Sequence, residues 1–278
     1  MRLLPRRAAL FFGGCLGQIG WLTGLKRSLV LSNIKQALPQ ATEKDRRRIA
    51  ARSARNFART ITEFVRCDGK DRQNVHDLVS IDGLDLLREA IKAGNGAILI
   101  TAHLGAWALY FSAISNAGIP ISLLVGKQRN KRVDDFIHRI PPPNDILIPK
   151  GRSAVKKILH SLNQGRCIVM VADQHAGSHG IMSDFLGRAA PTLSLPGAFF
   201  ARNRPPVFTM AGNRVLDGRH QVTIRPLAFD ETLEKEALKQ AVTDKFNQAL
   251  GEAVIACPDQ YFWYHRRWRD SDADIIAK

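Results

Sequence analysis

The chain has 278 residues, of which 45% are hydrophobic, enough to bury a sizeable core in one large domain, with or without a small appendage. Disorder is therefore excluded as the default state. A formal charge of +16, from 41 Lys and Arg against 25 Asp and Glu, calls for an anionic partner: a membrane surface, a phosphorylated ligand, an acidic protein or nucleic acid.

The first segment, "MRLLPRRAALFFGGCLGQIGWLTGLKRS", carries an uncharged stretch from residue 8 to 24 between Arg6, Arg7 and Lys26, Arg27. A span wants about 20 apolar residues, and this one has seventeen with five glycines. A short membrane anchor or interfacial helix over 1–28 agrees with the flanking cations and with Trp21; a signal peptide and a buried helix are the alternatives. A basic, helical-looking stretch then runs to about residue 66.

From there apolar runs alternate with helical periodicity. Strands are predicted at 97–102, 121–126, 145–149, 167–173, 206–212 and 221–227, several of them continuous enough to be buried on both faces. Helices are predicted at 152–164, ending at Gly165, and at 231–256, where Leu233, Ala237, Leu238, Ala241, Phe246, Leu250 and Val254 follow helical periodicity. This alternation predicts an α/β fold: a mostly parallel central sheet flanked by helices, preceded by the hydrophobic N-terminal helix, with chemistry at the carboxyl ends of the strands. The four cysteines, Cys15, Cys67, Cys167 and Cys257, form no C-x-x-C pair and indicate neither a zinc site nor a disulfide framework, which fits a reducing compartment. Nucleotide-binding glycine loops are absent from the sequence.

Four stretches could carry chemistry. In "AILITAHLGAWALYFSA", His103 follows a strand and precedes a helix, where a ring titrating near neutrality can act as a general base. A satisfied structural histidine is the competing reading. The stretch "VMVADQHAGSHGIMSDFLGRAAPTLS" ends a strand at Asp173 and Gln174 and continues into a glycine-rich loop that could fold over a site or remain bland surface. Its pair His175 and His179 lacks a third metal ligand. "GKQRNKR" could grip phosphates or be a solvated helix start. The aromatics and arginines of "CPDQYFWYHRRWRD" suit packing and an interfacial role beside a membrane better than stacking on nucleic acid.

Together these segments resemble the bacterial lipid A biosynthesis acyltransferases, the late acyltransferases of the lysophospholipid acyltransferase superfamily. The carriers of the resemblance, in order, are "RLLPRRAA", "HLGAW", "GKQRN", "ADQHAGSHG" with "DFLGRAAPT", and "PDQYFWYHRRWR". The resemblance implies an acyltransferase domain over 29–278 and an inner-membrane location at the cytoplasmic face. It also implies fatty acyl transfer from acyl carrier protein to a hydroxyl of a lipid A precursor, with no cofactor, no metal and no nucleic acid. Arg129 and Asn130 match its second block, and Asp173, Gln174, Arg188 and Thr192 its third, as residues that bind substrate. Another lipid acceptor, such as a phosphatidylinositol mannoside or an aminolipid, and a lipid-binding pseudoenzyme are the alternative readings.

One position departs from the family. Its motif sets an aspartate or glutamate five residues after the histidine, and here that position is Ala108. Five residues are about 140° apart on a regular helix, so such a pair meets only if His103 lies in the turn before the helix. By analogy with hydrolytic triads, losing an orienting carboxylate costs about 10⁴ in turnover, and the chain is expected to be severely impaired. A natural degenerate member and a deliberate replacement both fit; the integrity of every other motif favours replacement.

Overall fold

The computed structural model describes residues 1–67, 70–128, 130–142 and 144–268. Three helices come first: α1 (Arg6–Leu22), α2 (Arg27–Ala37) and α3 (Glu43–Arg66), followed by the short α4 (Lys70–Gln73) and α5 (Val75–Leu78). Then β1 (Val79–Asp82), α6 (Leu84–Ala90), β2 (Ala97–Thr101), α7 (Trp107–Asn116), β3 (Ile121–Val125), α8 (Lys131–Arg139), β4 (Ile146–Pro149), α9 (Ala154–Asn163) and β5 (Cys167–Val171) alternate. A hairpin of β6 (Ile181–Phe185) and β7 (Arg188–Thr192) leads into α10 (Leu195–Asn203), β8 (Val207–Arg214), β9 (His220–Pro226) and α11 (Lys235–Ala256).

The main sheet has seven strands in the order β1-β9-β8-β2-β5-β3-β4, and only the β8–β9 pair is antiparallel. All six strands expected from the sequence are present, and the α/β expectation with its mostly parallel sheet holds. All five residues of β2 are buried, because helices cover both faces. Ile98 and Ile100 pack with α9, α10 and α11, whereas Ala97 and Leu99 face α7.

Two features lay outside the sequence reading. The edge strand β1, "VSID", is short and half polar. The β6–β7 hairpin occupies what reads as a glycine-rich loop. It turns on Leu186 and Gly187, both with positive φ, the geometry of a two-residue type I′ turn. Pro191 within β7 disguises the strand, which a separate two-stranded ribbon tolerates.

The N-terminus differs from a single spanning anchor. No single helix among the described residues is long and apolar enough to cross a membrane; α1 and α2 pass that test only as a pair, and they are bent by 94°. Gly13, Gly14 and Gly17 explain why α1 lies down. A Cβ at Gly13 would collide with Thr62, at Gly14 with Arg59 and at Gly17 with the backbone of Ala54, so the glycines allow α1 to press onto α3. The opposite side of α1 leaves Phe11, Phe12, Leu16, Ile19 and Leu22 exposed. Residue 28, the expected boundary, falls inside α2, and Trp21 and Val30 share one core with the sheet.

Candidate active site

β2 and β5 are neighbours in parallel register, with Thr101 opposite Val171. Two residues further along each strand, that register sets His103 beside Asp173. The Asp173 carboxylate accepts twice from His103, from the backbone N–H at 3.0 Å and from ring Nδ1 at 2.7 Å. Asp173 is buried, while the ring keeps a fifth of its surface open (side chain 20% exposed). Burial alone would push the Asp173 carboxyl up; the charge of the His103 ring, its two hydrogen bonds and the charge of Arg267 outweigh burial and hold it below the usual carboxylate range. A carboxylate on Nδ1 fixes the proton there and leaves Nε2 as the lone-pair nitrogen. The ring is steadied by an edge contact with Trp107, 4.9 Å between centroids, and its backbone carbonyl accepts from Phe262 N–H at 3.0 Å.

His103 does lie in the turn before α7, and Ala108 sits in the first turn of that helix. No carboxylate is available at 108, but the Nδ1 position that it would serve is filled from Asp173, 70 residues away in sequence. The sequence reading placed Asp173 among the substrate-binding residues; its observed partner is the histidine.

His103, Ala108 and Gln174 line a cavity of about 340 Å³, within the range of small-molecule sites. Its walls include Phe111, Leu123, Ile137, Leu147 and Val171. It follows β3 from Val125 and Gly126 down to Ile121, and five residues of strand rise about 13 Å from first to last. The cavity is thus a largely apolar slot with the histidine at the carboxyl end of the sheet.

The other expected residues are distributed differently. Arg129 lies outside the described residues. Asn130 caps α8, its Oδ1 accepting from Arg132 N–H at 2.9 Å. Arg188 stands at the turn of the β6–β7 hairpin, and Thr192 is fully buried at its base. Thr192 Oγ1 accepts from Asn247 at 3.0 Å and from Arg267 at 2.6 Å and donates to Ala190 O at 3.0 Å, which makes it a packing joint. Neither Arg188 nor Thr192 is among the described residues that line the cavity.

Of the packing and interfacial roles expected for the last aromatic and arginine stretch, Arg267 takes the first: it is 2% exposed, donating to Gln174 O at 3.0 Å and to Pro191 O at 2.7 Å, with Phe185 beneath its guanidinium at 5.1 Å. It pins the segment after β5 to the hairpin. Tyr261 and Trp263 are buried beside it, while Phe262, Tyr264 and Trp268 are half-buried and Arg266 is exposed. Among the described residues, no three of His, Cys, Asp and Glu gather as metal ligands. His175 uses Nδ1 to accept from Gly177 N–H.

The loop amides are mostly committed. Gly105 N–H donates to Gln260 O at 3.1 Å and Ala106 N–H to the Tyr110 hydroxyl at 2.9 Å. Among the described residues, the amides of Trp107 and Ala108 meet no acceptor, and they head the helix that begins beside His103.

The family model described as bacterial lipid A biosynthesis acyltransferase matches residues 1–270. No curated protein matches the chain.

Proposed function

Because the chain belongs to the bacterial lipid A biosynthesis acyltransferase family, we propose that it transfers a fatty acyl group from the thioester of acyl carrier protein to a hydroxyl of a lipid A precursor, at the cytoplasmic face of the inner membrane. The observation that carries this reading is the His103–Asp173 pair at the mouth of an apolar slot.

In the proposed reaction the acyl chain occupies the slot with its thioester carbonyl beside the ring. His103 Nε2 takes the proton of the acceptor hydroxyl as its oxygen forms a bond to the carbonyl carbon, a contribution of about 10²–10⁴ in rate. Asp173 stabilises the imidazolium so formed. The carbonyl oxygen becomes an oxyanion, for which the amides of Trp107 and Ala108 are the uncommitted donors. On collapse the C–S bond breaks, and the carrier thiolate takes the proton back from the ring. Asp173 in this scheme does the orienting work of the acid that position 108 lacks, so Ala108 weakens the enzyme without removing its base.

The lipid surface is met through α1. Its outward Phe11, Phe12, Leu16 and Ile19 are bordered by the exposed Arg7, Lys26 and Arg55, a pattern suited to an interfacial helix over anionic lipid. The cations Lys127, Lys131 and Arg132, exposed near the cavity mouth, are available to an acidic carrier.

The test is transfer of radiolabelled acyl chains from acyl carrier protein to a lipid A precursor. His103→Ala should abolish transfer, Asp173→Asn should lower it by about 10³–10⁴, and Ala108→Glu should raise it by no more than about tenfold. Recovery by orders of magnitude in Ala108→Glu, with no loss in Asp173→Asn, would return the orienting role to position 108. Acyl-chain binding without turnover in any of the three would leave a lipid-binding protein.

A further inference from the structure

Across α7 from the cavity lies a buried chain of polar groups that the proposed reaction does not use. Tyr110, His220 and Glu63 are each no more than 1% exposed. The distances define one direction of donation. Ala106 N–H donates to Tyr110 Oη at 2.9 Å; Oη is 3.0 Å from His220 Nδ1; His220 Nε2 is 2.8 Å from Glu63 Oε1. A carboxylate can only accept, so Nε2 carries the ring proton, Nδ1 accepts, and the tyrosine hydroxyl donates to it. Each link uses the one donor and the one acceptor that the next link needs.

The far end is anchored by charge. Glu63 is held by Arg214 and by Arg6, at 2.5 Å, and Arg6 also binds Asp71 at 2.6 Å. Burial would raise the Glu63 carboxyl, yet the Arg214 charge and the His220 bond hold it well below the carboxylate range, while burial pushes the His220 ring down against the pull of Glu63. The near end touches the histidine loop. Gly105 has φ of +60°, and a Cβ there would collide with the Tyr110 hydroxyl and with Gly212 O. The loop is therefore seated on the tyrosine at a point where only glycine fits. Thr60 Oγ1 fixes the Gly105 carbonyl at 3.0 Å.

We propose that Tyr110, His220 and Glu63 form a positioning chain that fixes the 105–107 turn, and through it the direction in which the free Trp107 and Ala108 amides point at the reacting carbonyl. This rests on the acyltransferase reading for its catalytic meaning, but not for its geometry. None of the three touches substrate. His103 itself is held separately, by Asp173 and Phe262, so loss of the chain should disturb the oxyanion side of the site and leave the base intact.

The experiment combines kinetics with amide exchange. Tyr110→Phe keeps the ring and removes only the hydroxyl. It should lower kcat by about tenfold to a hundredfold, somewhat less than deletion of an oxyanion donor, with KM and the acid limb of the pH profile unmoved. His220→Gln should do the same, and the double variant should be no worse than either single, because the chain acts as one unit. Multiplying losses, or a kcat unchanged in Tyr110→Phe, would overturn the proposal. Exchange reads the chain without activity: the Ala106 amide of the unaltered protein should be as protected as β2, and in Tyr110→Phe residues 106–108 should exchange at least about tenfold faster while β2 stays protected. An Ala106 amide that already exchanges like an open loop, or one unaffected by the substitution, would also overturn it. Absence of turnover in the unaltered protein on every acceptor would end the acyltransferase reading alone, since the exchange arm still decides the chain.

Discussion

On the α7 side of the sheet, the β5–β3–β4 half and the β8–β9–β1 half are built on opposite principles. The first leaves an apolar slot; the second is filled with charge, where Glu63, Arg214, Arg6 and His220 satisfy one another with little access to water. One helix divides them. Ala108, Phe111 and Ser112 line the slot, whereas Tyr110, about 200° round the helix from Ala108, enters the charged half. The contrast separates two tasks. A hollow lined mostly by apolar side chains, with Asp145, Lys150 and Gln174 among them, can change volume at small cost, but a buried charge network tolerates no missing member, so the slot half is soft and the charged half is stiff.

The largest expected effect lies in the stiff half. Glu63→Ala strands the buried Arg214 guanidinium and leaves Arg6 with Asp71 alone, and should destabilise the protein by about 3–5 kcal/mol. Chemical denaturation would measure it, and a loss below about 1 kcal/mol would mean that the charges do not hold that half together. Acid should act on the same groups. Glu63 and Asp173 both titrate lower folded than the unfolded values of about 4.3 and 3.9, so their stabilisation is complete above about pH 5 and drains away as the pH falls through 4 and below. The denaturation midpoint followed from pH 7 to pH 3 should drop, and more shallowly in Glu63→Ala.

At α1, proposed to meet lipid, Phe11→Ser with Phe12→Ser should weaken partitioning onto anionic vesicles by about 1.5–3 kcal/mol for each ring that lipid fully covers. Catalysis in detergent should persist; vesicle binding equal to that of the parent would remove α1 from the interface. Smallest in stability is the slot. Ile137→Phe, which narrows it, should change stability by less than about 1.5 kcal/mol yet move acyl preference toward shorter chains. Unchanged selectivity across a series of chain lengths would show that the slot does not measure the chain.

The sequence exposed what depends on neighbours in the chain. Runs such as "AILIT" and "CIVMV" announce strands buried on both faces, and His103 stands out because a titratable ring interrupts such a run. The support of that ring was not legible. Local spacing sent the search for an acid to position 108, but Asp173 reaches the ring through strand register, a property of two segments that no single window contains. Likewise nothing near Glu63 foretells His220, 157 residues later; a buried carboxylate amid the basic α3 is the only local hint. The glycines of α1 weaken a membrane span on composition alone, but their use in seating α1 on α3 depends on the partner helix, which no local window contains.

The pairing of Thr101 with Val171 makes the proposed dyad a matter of counting residues. Side chains alternate sides along a strand, so one residue inserted between Thr101 and His103 would send the ring toward the opposite face of the sheet, with every chemical group still present. Tolerance to length change should therefore vanish at the ends of β2 and β5 even where tolerance to substitution is wide. For this fold an insertion scan across those two strand ends would map the site as sharply as replacing its side chains.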